Sequence, residues 1–224
     1  MFSGGGLTLR QRAGLLTPVD DIQRFEGGFL LTNSYLIPTP NGGQIMIDAP
    51  ADADQWLEQL GITPTALILT HQHFDHVLSA HRIAAMGVPI YAWNAFDRGL
   101  LLEEVVREWG MPFDVVEYPV QHVLEGQHSL EVDGLGFSLS HLPGHSPDSV
   151  IIHQKEARAL FAGDTLFAGS TGRADLPGGD PELLYRGIRE KIYTLDSNTR
   201  VLPGHGPETQ VGVEAASNPV IRAV

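Results

Sequence analysis

The chain has 224 residues, and 42% of them are hydrophobic, which is an ordinary share for a soluble globular protein. Its formal net charge of −13 repels nucleic-acid backbones and anionic membranes, so the composition predicts a small-molecule substrate, no nucleic-acid partner and no membrane partner. The chain contains no cysteine, which excludes disulfides and leaves histidine and carboxylate side chains to hold any metal.

The N-terminal residues 1–14 are glycine-rich and weakly patterned, and we expect them to form a loose arm. They lack an apolar core of signal-peptide length, and nothing in the sequence resembles a transmembrane span. We therefore expect a cytoplasmic protein. Because no linker divides the sequence, we expect a single domain over residues 1–224.

Short apolar runs bounded by turn residues predict strands, and apolar residues at helical spacing predict helices. In the first part of the chain these patterns predict strands at 20–25, 29–37, 44–48, 66–69 and 88–92 and helices at 51–60, 77–86 and 95–109. In the second part they predict strands at 113–120, 128–132, 136–142, 150–153, 159–162 and 200–202 and a helix at 181–195. Two sheets packed on each other with helices outside would bury this apolar surface.

The segment 71–76 places three imidazoles and a carboxylate directly after a predicted buried strand. Open α/β sheets bind ligands at such strand ends, and these side chains suit zinc, iron and manganese. His71 and His73 lie two residues apart, so both can converge on one ion. Asp75 and His76 follow and point towards a second ion. A polar turn capped by Asp75 is the alternative, and the density of ligands in six residues disfavours it.

Three further candidate ligands each follow a predicted strand and a glycine, and they are His145, Asp164 and His205. A glycine at this point lets the backbone approach closely or adopt a positive φ, so the next side chain can be directed at a shared point. Each of the three alone is equally well explained as a turn or capping residue. Together with the segment 71–76 they indicate a metal site.

This series of residues resembles the ligand series of the metallo-β-lactamase superfamily, and the resemblance extends from the segment 33–37 to His205. The segments 163–167, 169–173 and 203–209 are most similar to the small single-domain bacterial members of the glyoxalase II-like branch. The resemblance implies an α/β fold, the four-layer αββα sandwich.

The resemblance also implies a role for each candidate ligand. It assigns His71, His73 and His145 to one metal, Asp75, His76 and His205 to a second metal, and Asp164 to a position bridging the two. We therefore expect two divalent metal ions as cofactors, with zinc as the first choice and iron or manganese as alternatives, since histidine and carboxylate suit all three.

Two residues outside the ligand series have two interpretations each. Asp48 ends the third predicted strand and either orients a ligand through a hydrogen bond or is a plain turn residue. Arg173 lies in the glycine-rich loop after Asp164 and either binds a substrate carboxylate or ties the loop to Asp175 or Asp180.

Two cations bridged by Asp164 can lower the pKa of a shared water towards neutrality, and Asp75 is expected to orient this nucleophile. A thiol leaving group, with a pKa of about 8.5, needs little help from an acid. We therefore predict a metallo-hydrolase of a thioester similar to a hydroxyacylglutathione. Thr171 stands where the branch has a cysteine, and no added helical domain follows His205; both departures weigh against glutathione itself.

Other functions remain open at this point. The first alternative is an oxygenase similar to the persulfide dioxygenases, which by resemblance would hold one iron with His71, His145 and Asp164. Hydrolysis of a lactone or another ester is a second alternative. A metal-free scaffold is disfavoured by the complete ligand series, and a nuclease by the net charge of −13.

Overall fold

Two six-stranded β-sheets form the middle layers of this computed structural model, which describes residues 21–110 and 113–223. Helices cover the outer face of each sheet, so the architecture is the αββα sandwich predicted from the sequence. The arm expected at residues 1–14 lies outside the described residues.

The first sheet is built by the first half of the chain. Its strands, in spatial order, are β1 (Gln23–Gly27), β2 (Thr32–Pro38), β3 (Gln44–Ile47), β4 (Ala66–Ile68), β5 (Ile90–Ala92) and β6 (His122–Val123). The strands β1 to β3 pair antiparallel, and β3 to β6 pair parallel. The carboxyl ends of β3 and β4 therefore meet at one edge of the sheet.

The second half of the chain contributes the other strands. They are β7 (Ser129–Val132), β8 (Leu135–His141), β9 (Val150–Gln154), β10 (Ala159–Gly163), β11 (Leu166–Phe167), β12 (Ser170–Thr171), β13 (Arg200–Pro203) and β14 (Thr209–Gln210). The spatial order of the second sheet is β14-β13-β10-β9-β8-β7, and β11 pairs only with β12. Because β10 and β13 are parallel, their carboxyl ends also share one edge.

The outer layers contain short helices. They are α1 (Ala53–Leu60), α2 (Phe74–Val77), α3 (Ala80–Ala85) and α4 (Glu103–Glu108) on the first sheet, and α5 (Pro181–Gly187) and α6 (Val211–Ser217) on the second. A 3₁₀ turn, Arg98–Leu100, precedes α4, and a π-helical segment, Ile188–Ile192, continues α5. No helix within the described residues is long and apolar enough to cross a bilayer.

Alternation of side chains along the strands produces three separate core regions. Tyr35 and Ile37 of β2 face the interior between the sheets, whereas Leu36 points to the helices that cover the first sheet. In the second sheet Phe161 faces inward and Leu160 packs under α5. Four layers therefore follow from the period of two in each central strand.

The structure differs from the predicted elements in two neighbouring places. The helix predicted at 95–109 is interrupted, because Leu102 has a φ of 59° and the side chain of Asp97 caps the 3₁₀ turn by accepting a hydrogen bond from the amide of Gly99. Residues 113–120, predicted as a strand, form no strand in the structure. Their apolar pattern reflects burial of Val115 and Tyr118 under the helices rather than pairing in a sheet.

Further differences concern one helix boundary and several short elements. The helix after the segment 71–76 begins at Phe74, inside the predicted ligand cluster, and it breaks between α2 and α3. The short strands β6, β11, β12 and β14 and the helix α6 were not predicted. The strands that precede the candidate ligands end within one residue of their predicted ends.

Candidate metal centre

All seven predicted ligands lie together at one edge of the sandwich. They follow the carboxyl ends of strands from both sheets: His71 and His73 after β4, Asp75 and His76 on α2, His145 after β8, Asp164 after β10, and His205 after β13. Six of them are buried, and only His205 is partly exposed. The parallel pairing of β10 with β13 brings Asp164 and His205 to the same point.

Glycine is required at two places beside this cluster. A Cβ atom at Gly204 would overlap Oδ1 of Asp164 and lie 2.7 Å from Cε1 of His76. Gly163 has a φ of 49°, and a Cβ there would lie 2.6 Å from Oγ1 of Thr70. Both glycines therefore let the backbone approach the ligands closely.

The ligand atoms form three overlapping groups, in each of which all atoms lie within 4.8 Å of one another. The groups are His71, His73 and His145; His71, His76 and Asp164; and Asp75, His76 and His205. The first and third groups match the two ligand sets that the resemblance implies. Asp164 lies between them, because its Oδ2 is 3.5 Å from Nε2 of His145 and 3.3 Å from Nε2 of His205.

Several polar atoms that face the centre of the cluster lack hydrogen-bond partners within the described residues. They are the Nε2 atoms of His71, His76 and His145 and the Oδ1 atom of Asp164. Buried polar atoms in this state are costly unless something else binds them. Two ligand atoms of one tetrahedral zinc ion lie roughly 3.4 Å apart, given metal–ligand distances of about 2.1 Å, and several pairs here are near that separation. The cluster therefore fits divalent metal ions.

The other ring nitrogen of three histidines is held by a hydrogen bond. Nδ1 of His145 donates to the carbonyl of Arg173 at 2.8 Å, and Nδ1 of His205 donates to the carbonyl of Leu30 at 3.1 Å. Nδ1 of His76 donates to Asp48 at 2.9 Å. Such partners fix the ring orientation and tautomer of metal-binding histidines, and here they direct each Nε2 into the cluster.

Asp48 occupies the position that its hydrogen-bonding interpretation requires. Besides His76, its carboxylate accepts hydrogen bonds from the amide and the hydroxyl of Thr70, both at 2.7 Å. The Thr70 hydroxyl in turn lies 3.1 Å from Nδ1 of His71. One buried carboxylate thus contacts the ligand loop after β4 and the helix α2.

Sequence reasoning did not identify Thr32, whose hydroxyl donates to Oδ2 of Asp75 at 2.6 Å. A threonine at the start of a strand is ordinary, so no sequence pattern marked it. The backbone carbonyls of Leu30 and Arg173 were also missed, because a carbonyl acceptor is independent of the side chain that the sequence specifies.

The histidines of the first group have lowered pKa values. Burial, and after it the neighbouring His145, lower the pKa of His73 to about 3. Burial also lowers the pKa values of His71 and His145. These three imidazoles are therefore neutral at pH 7, which is the state that binds a metal.

The second group has the opposite electrostatic balance. Burial opposes the charged form of His205, but the carboxylates of Asp164 and Asp75 outweigh it and raise its pKa to about 10. Burial likewise opposes protonation of His76, and Asp75 and Asp164 raise its pKa well above the usual value. A cation at this group would therefore displace protons.

Arg173 makes the structural contact that one of its interpretations required. Its guanidinium forms a bidentate pair with Asp175, with both N–O distances at 2.8 Å, and lies 5.5 Å from the ring centre of Trp109. The side chain also lines the cleft above the ligands. Binding of a substrate carboxylate by Arg173 stays a prediction.

A cleft of about 390 Å³ opens onto the ligand cluster. His73, Asp75, His145, Asp164 and His205 form its base, and much of its wall is apolar. Trp109 also lines the cleft, and 48% of its side chain is exposed. Trp109 reaches the cleft because α4 is short and ends at Glu108, directly before it.

An αββα sandwich with this histidine and aspartate cluster at the strand ends defines a class of metal-dependent proteins. Comparison with sequence models of protein families agrees with this class. The model of the metallo-beta-lactamase superfamily matches residues 27–205, so the chain belongs to that superfamily. The match ends at the last residue of the predicted ligand series.

Two curated relatives are similar over nearly their whole length. The probable metallo-hydrolase YqgX of Bacillus subtilis is 35% identical over 91% of this chain and 95% of its own. The hydroxyacylglutathione hydrolase GloC of Haemophilus influenzae is 34% identical over 85% of this chain and 93% of its own.

Two solved structures are similar in fold and sequence. The BLEG-1 B3 metallo-beta-lactamase superposes with a TM-score of 0.80, and TTHA1623 in a di-iron-bound form superposes with a TM-score of 0.75. Each is 35% identical and covers 88% of this chain and 98% of its own. The relatives support a metallo-hydrolase.

Proposed function

We propose that the protein is a thioester hydrolase that works with two divalent metal ions. The observation that carries the proposal is the position of Asp164, whose carboxylate lies within 3.5 Å of histidines from both groups. When bound, the two ions would supply a shared water of lowered pKa and polarise the scissile carbonyl. The remaining contributions come from the side chains of this chain.

The residues divide the work in the following way. His71, His73 and His145 would hold the first ion as neutral imidazoles, and Asp75, His76 and His205 would hold the second. Asp75 orients the nucleophilic water, and the Thr32 hydroxyl fixes its carboxylate at 2.6 Å. Zinc suits this set of ligands, and the di-iron form of the similar structure TTHA1623 supports iron as the alternative.

The lining of the cleft supports a thioester over an amide. An amine must receive a proton before it leaves, because the amide anion is far too basic to be expelled, whereas a thiol with a pKa of about 8.5 leaves as the thiolate. Among the described residues that line the cleft, the polar groups other than predicted ligands are the side chains of Ser170, Thr171 and Arg173 and the indole N–H of Trp109, and none is an efficient acid at neutral pH. The similarity to the hydroxyacylglutathione hydrolase GloC supports the same reaction.

The test compares two activities of protein whose metal content has been measured. Protein loaded with two zinc or two iron ions should hydrolyse small thioesters without consuming oxygen. A lactone panel run alongside tests ester hydrolysis. Persulfide-dependent oxygen uptake by protein with one iron, without thioester hydrolysis, would replace the hydrolase with an oxygenase.

A further inference from the structure

The cleft above the ligand cluster has an apolar wall that the proposed hydrolysis does not use. Eight apolar residues line the cleft, of which Phe74 and Val106 are almost fully buried. The other six come from separate parts of the chain and form this wall: Leu30, Leu102, Val105, Trp109, Phe167 and Leu176. We propose, on the basis of the proposed function, that this wall binds the acyl chain of the substrate and selects uncharged, apolar acyl thioesters.

The wall adjoins the reacting groups directly. The Phe167 ring lies 6.1 Å from the His205 ring, and the carbonyl of Leu30 accepts the hydrogen bond of the same histidine. On the other side, Val105 belongs to α4, whose apolar face borders the cleft that contains His73 and His145. An acyl carbon attached to the scissile carbonyl would therefore meet apolar side chains at once.

Two of these large apolar side chains are exposed. Leu30 is 39% exposed and Trp109 is 48% exposed, although both border a cleft with buried polar groups at its base. Exposed apolar surface beside a polar site marks a place where a ligand covers it. Trp109 also contacts Arg173, so the indole reaches the loop after Asp164 from the end of α4.

The charges around the wall disfavour an anionic acyl group. Arg173 is the one lysine or arginine among the described residues that line the cleft, and its guanidinium is already paired with Asp175. A terminal carboxylate on the acyl chain would lose its hydration on the wall and would have to compete with Asp175 for that cation. The net charge of −13 adds to the penalty.

The test is a series of thioesters that share one thiol, N-acetylcysteamine, and differ only in the acyl group. For the zinc-loaded protein we expect kcat/KM to rise about fourfold for each added methylene from acetyl through butanoyl to hexanoyl. The transfer free energy of one buried methylene corresponds to about this factor. The adipoyl thioester, which matches hexanoyl in length but ends in a carboxylate, should react at least about tenfold more slowly than hexanoyl. Equal values of kcat/KM across the series, or a preference for adipoyl, would overturn the inference.

Matched variants locate the effect. Leu30→Ala and Trp109→Ala each remove part of the wall while keeping the backbone, so the ratio of hexanoyl to acetyl kcat/KM should fall at least about fivefold. Leu60→Ala is the control, because Leu60 is 41% exposed on α1 and does not line the cleft. Its ratio should equal that of the wild type. An unchanged ratio in both wall variants would assign the selectivity elsewhere and overturn the inference.

A binding measurement separates this inference from the proposed function. Calorimetric titration of the zinc-loaded protein with acetate, butanoate and hexanoate should show affinity rising along the series, and the rise should diminish in Trp109→Ala. If no thioester is hydrolysed, the proposed function fails, and the binding series still decides the inference. Equal affinities for the three acids would overturn it whatever the reaction proves to be.

Discussion

Asp48 is a single carboxylate that contacts two parts of the metal centre, the Thr70 backbone and hydroxyl and the His76 ring. Asp48→Asn keeps the size of the side chain but removes its charge and places an amide donor beside groups that already donate. We expect affinity for the second metal to fall about 10- to 100-fold, as for other residues that orient metal ligands.

Zinc titration against a competing chelator measures this change. Asp114→Asn is the control, because Asp114 has a 95% exposed side chain and only a weak ion pair with Arg107 at 3.9 Å. Equal zinc affinities in Asp48→Asn and the wild type would show that Asp48 is a turn residue without an orienting role.

Asp164 and His205 should respond differently to removal, because only Asp164 faces both groups. Asp164→Ala should lose both metals, whereas His205→Ala should lose mainly the second. Loss of that ion removes part of the oxyanion support, and one such donor is typically worth about 10²–10³ in kcat. Metal analysis and thioester kinetics on both variants test this, and two tightly bound ions in His205→Ala would contradict the assignment of the second site.

At the scale of the element, the loop after β13 depends on a glycine. Gly204→Ala would place a methyl group on Oδ1 of Asp164 and against the ring of His76. We expect the substitution to displace Asp164 and to lower metal occupancy at both positions. Gly136→Ala in β8 is the matched control, since a Cβ there meets nothing within 4 Å.

Metal content after purification and thermal unfolding of the metal-free proteins are the measurements. Gly204→Ala should lose metal more than it loses apo stability, because the overlap is with ligands rather than with the core. Full metal occupancy in Gly204→Ala would mean that the loop relaxes without moving Asp164.

The elements also show what the sequence can and cannot specify. Most of the longer strands, their apolar period of two and the glycine before each distal ligand could be predicted from the sequence, because they are local patterns. The interruption at Leu102 was not, since the helical pattern over 95–109 continues across it and only the backbone turn at φ 59° breaks it. The strand prediction for the segment 113–120 was wrong for a related reason, because its apolar residues are typical of a strand, whereas its buried residues, Val115 and Tyr118, lie three positions apart in a segment that pairs with no strand.

The metal centre likewise has features that the sequence predicts and features that only the packed fold determines. The motif of segment 71–76 and the strand-end positions of His145 and Asp164 predicted their convergence correctly. The carbonyl partners of His145 and His205 lie on Arg173 and Leu30, far away in sequence, and follow only from the packed fold. The apolar wall was missed for that reason too, since its residues come from four separate segments.

At the scale of the whole molecule, the two ligand groups should respond differently to pH. His71, His73 and His145 have lowered pKa values and are neutral at pH 7, so the first ion displaces no proton from them. Carboxylates raise the pKa of His205 to about 10 against the effect of burial, so the second ion must displace its proton. Affinity for the second ion should therefore rise with pH, by about tenfold per pH unit for each displaced proton, up to about pH 10.

Zinc titrations at several pH values between 6.5 and 8.5, corrected for the pH dependence of the chelator, check this prediction. The first equivalent should change little in affinity over this range, and the second should tighten steadily. On acidification the second ion should leave first, and activity should fall with it. Activity lost while both ions remain bound would assign the pH dependence to another group.

The contact between the two sheets determines more than stability. The Tyr35 ring of the first sheet packs edge-on against the Phe161 ring of the second at 5.5 Å, and the Tyr35 hydroxyl donates to the carbonyl of Pro203, two residues before His205. Each ligand group combines residues that follow strands of both sheets, so the spacing between the sheets sets the distances between the ligands of each metal position. A substitution deep in this interior, remote from any ligand in sequence, is therefore a change in the dimensions of the reaction centre. Substitutions that change the packing of the core therefore also change the reactivity of such a molecule.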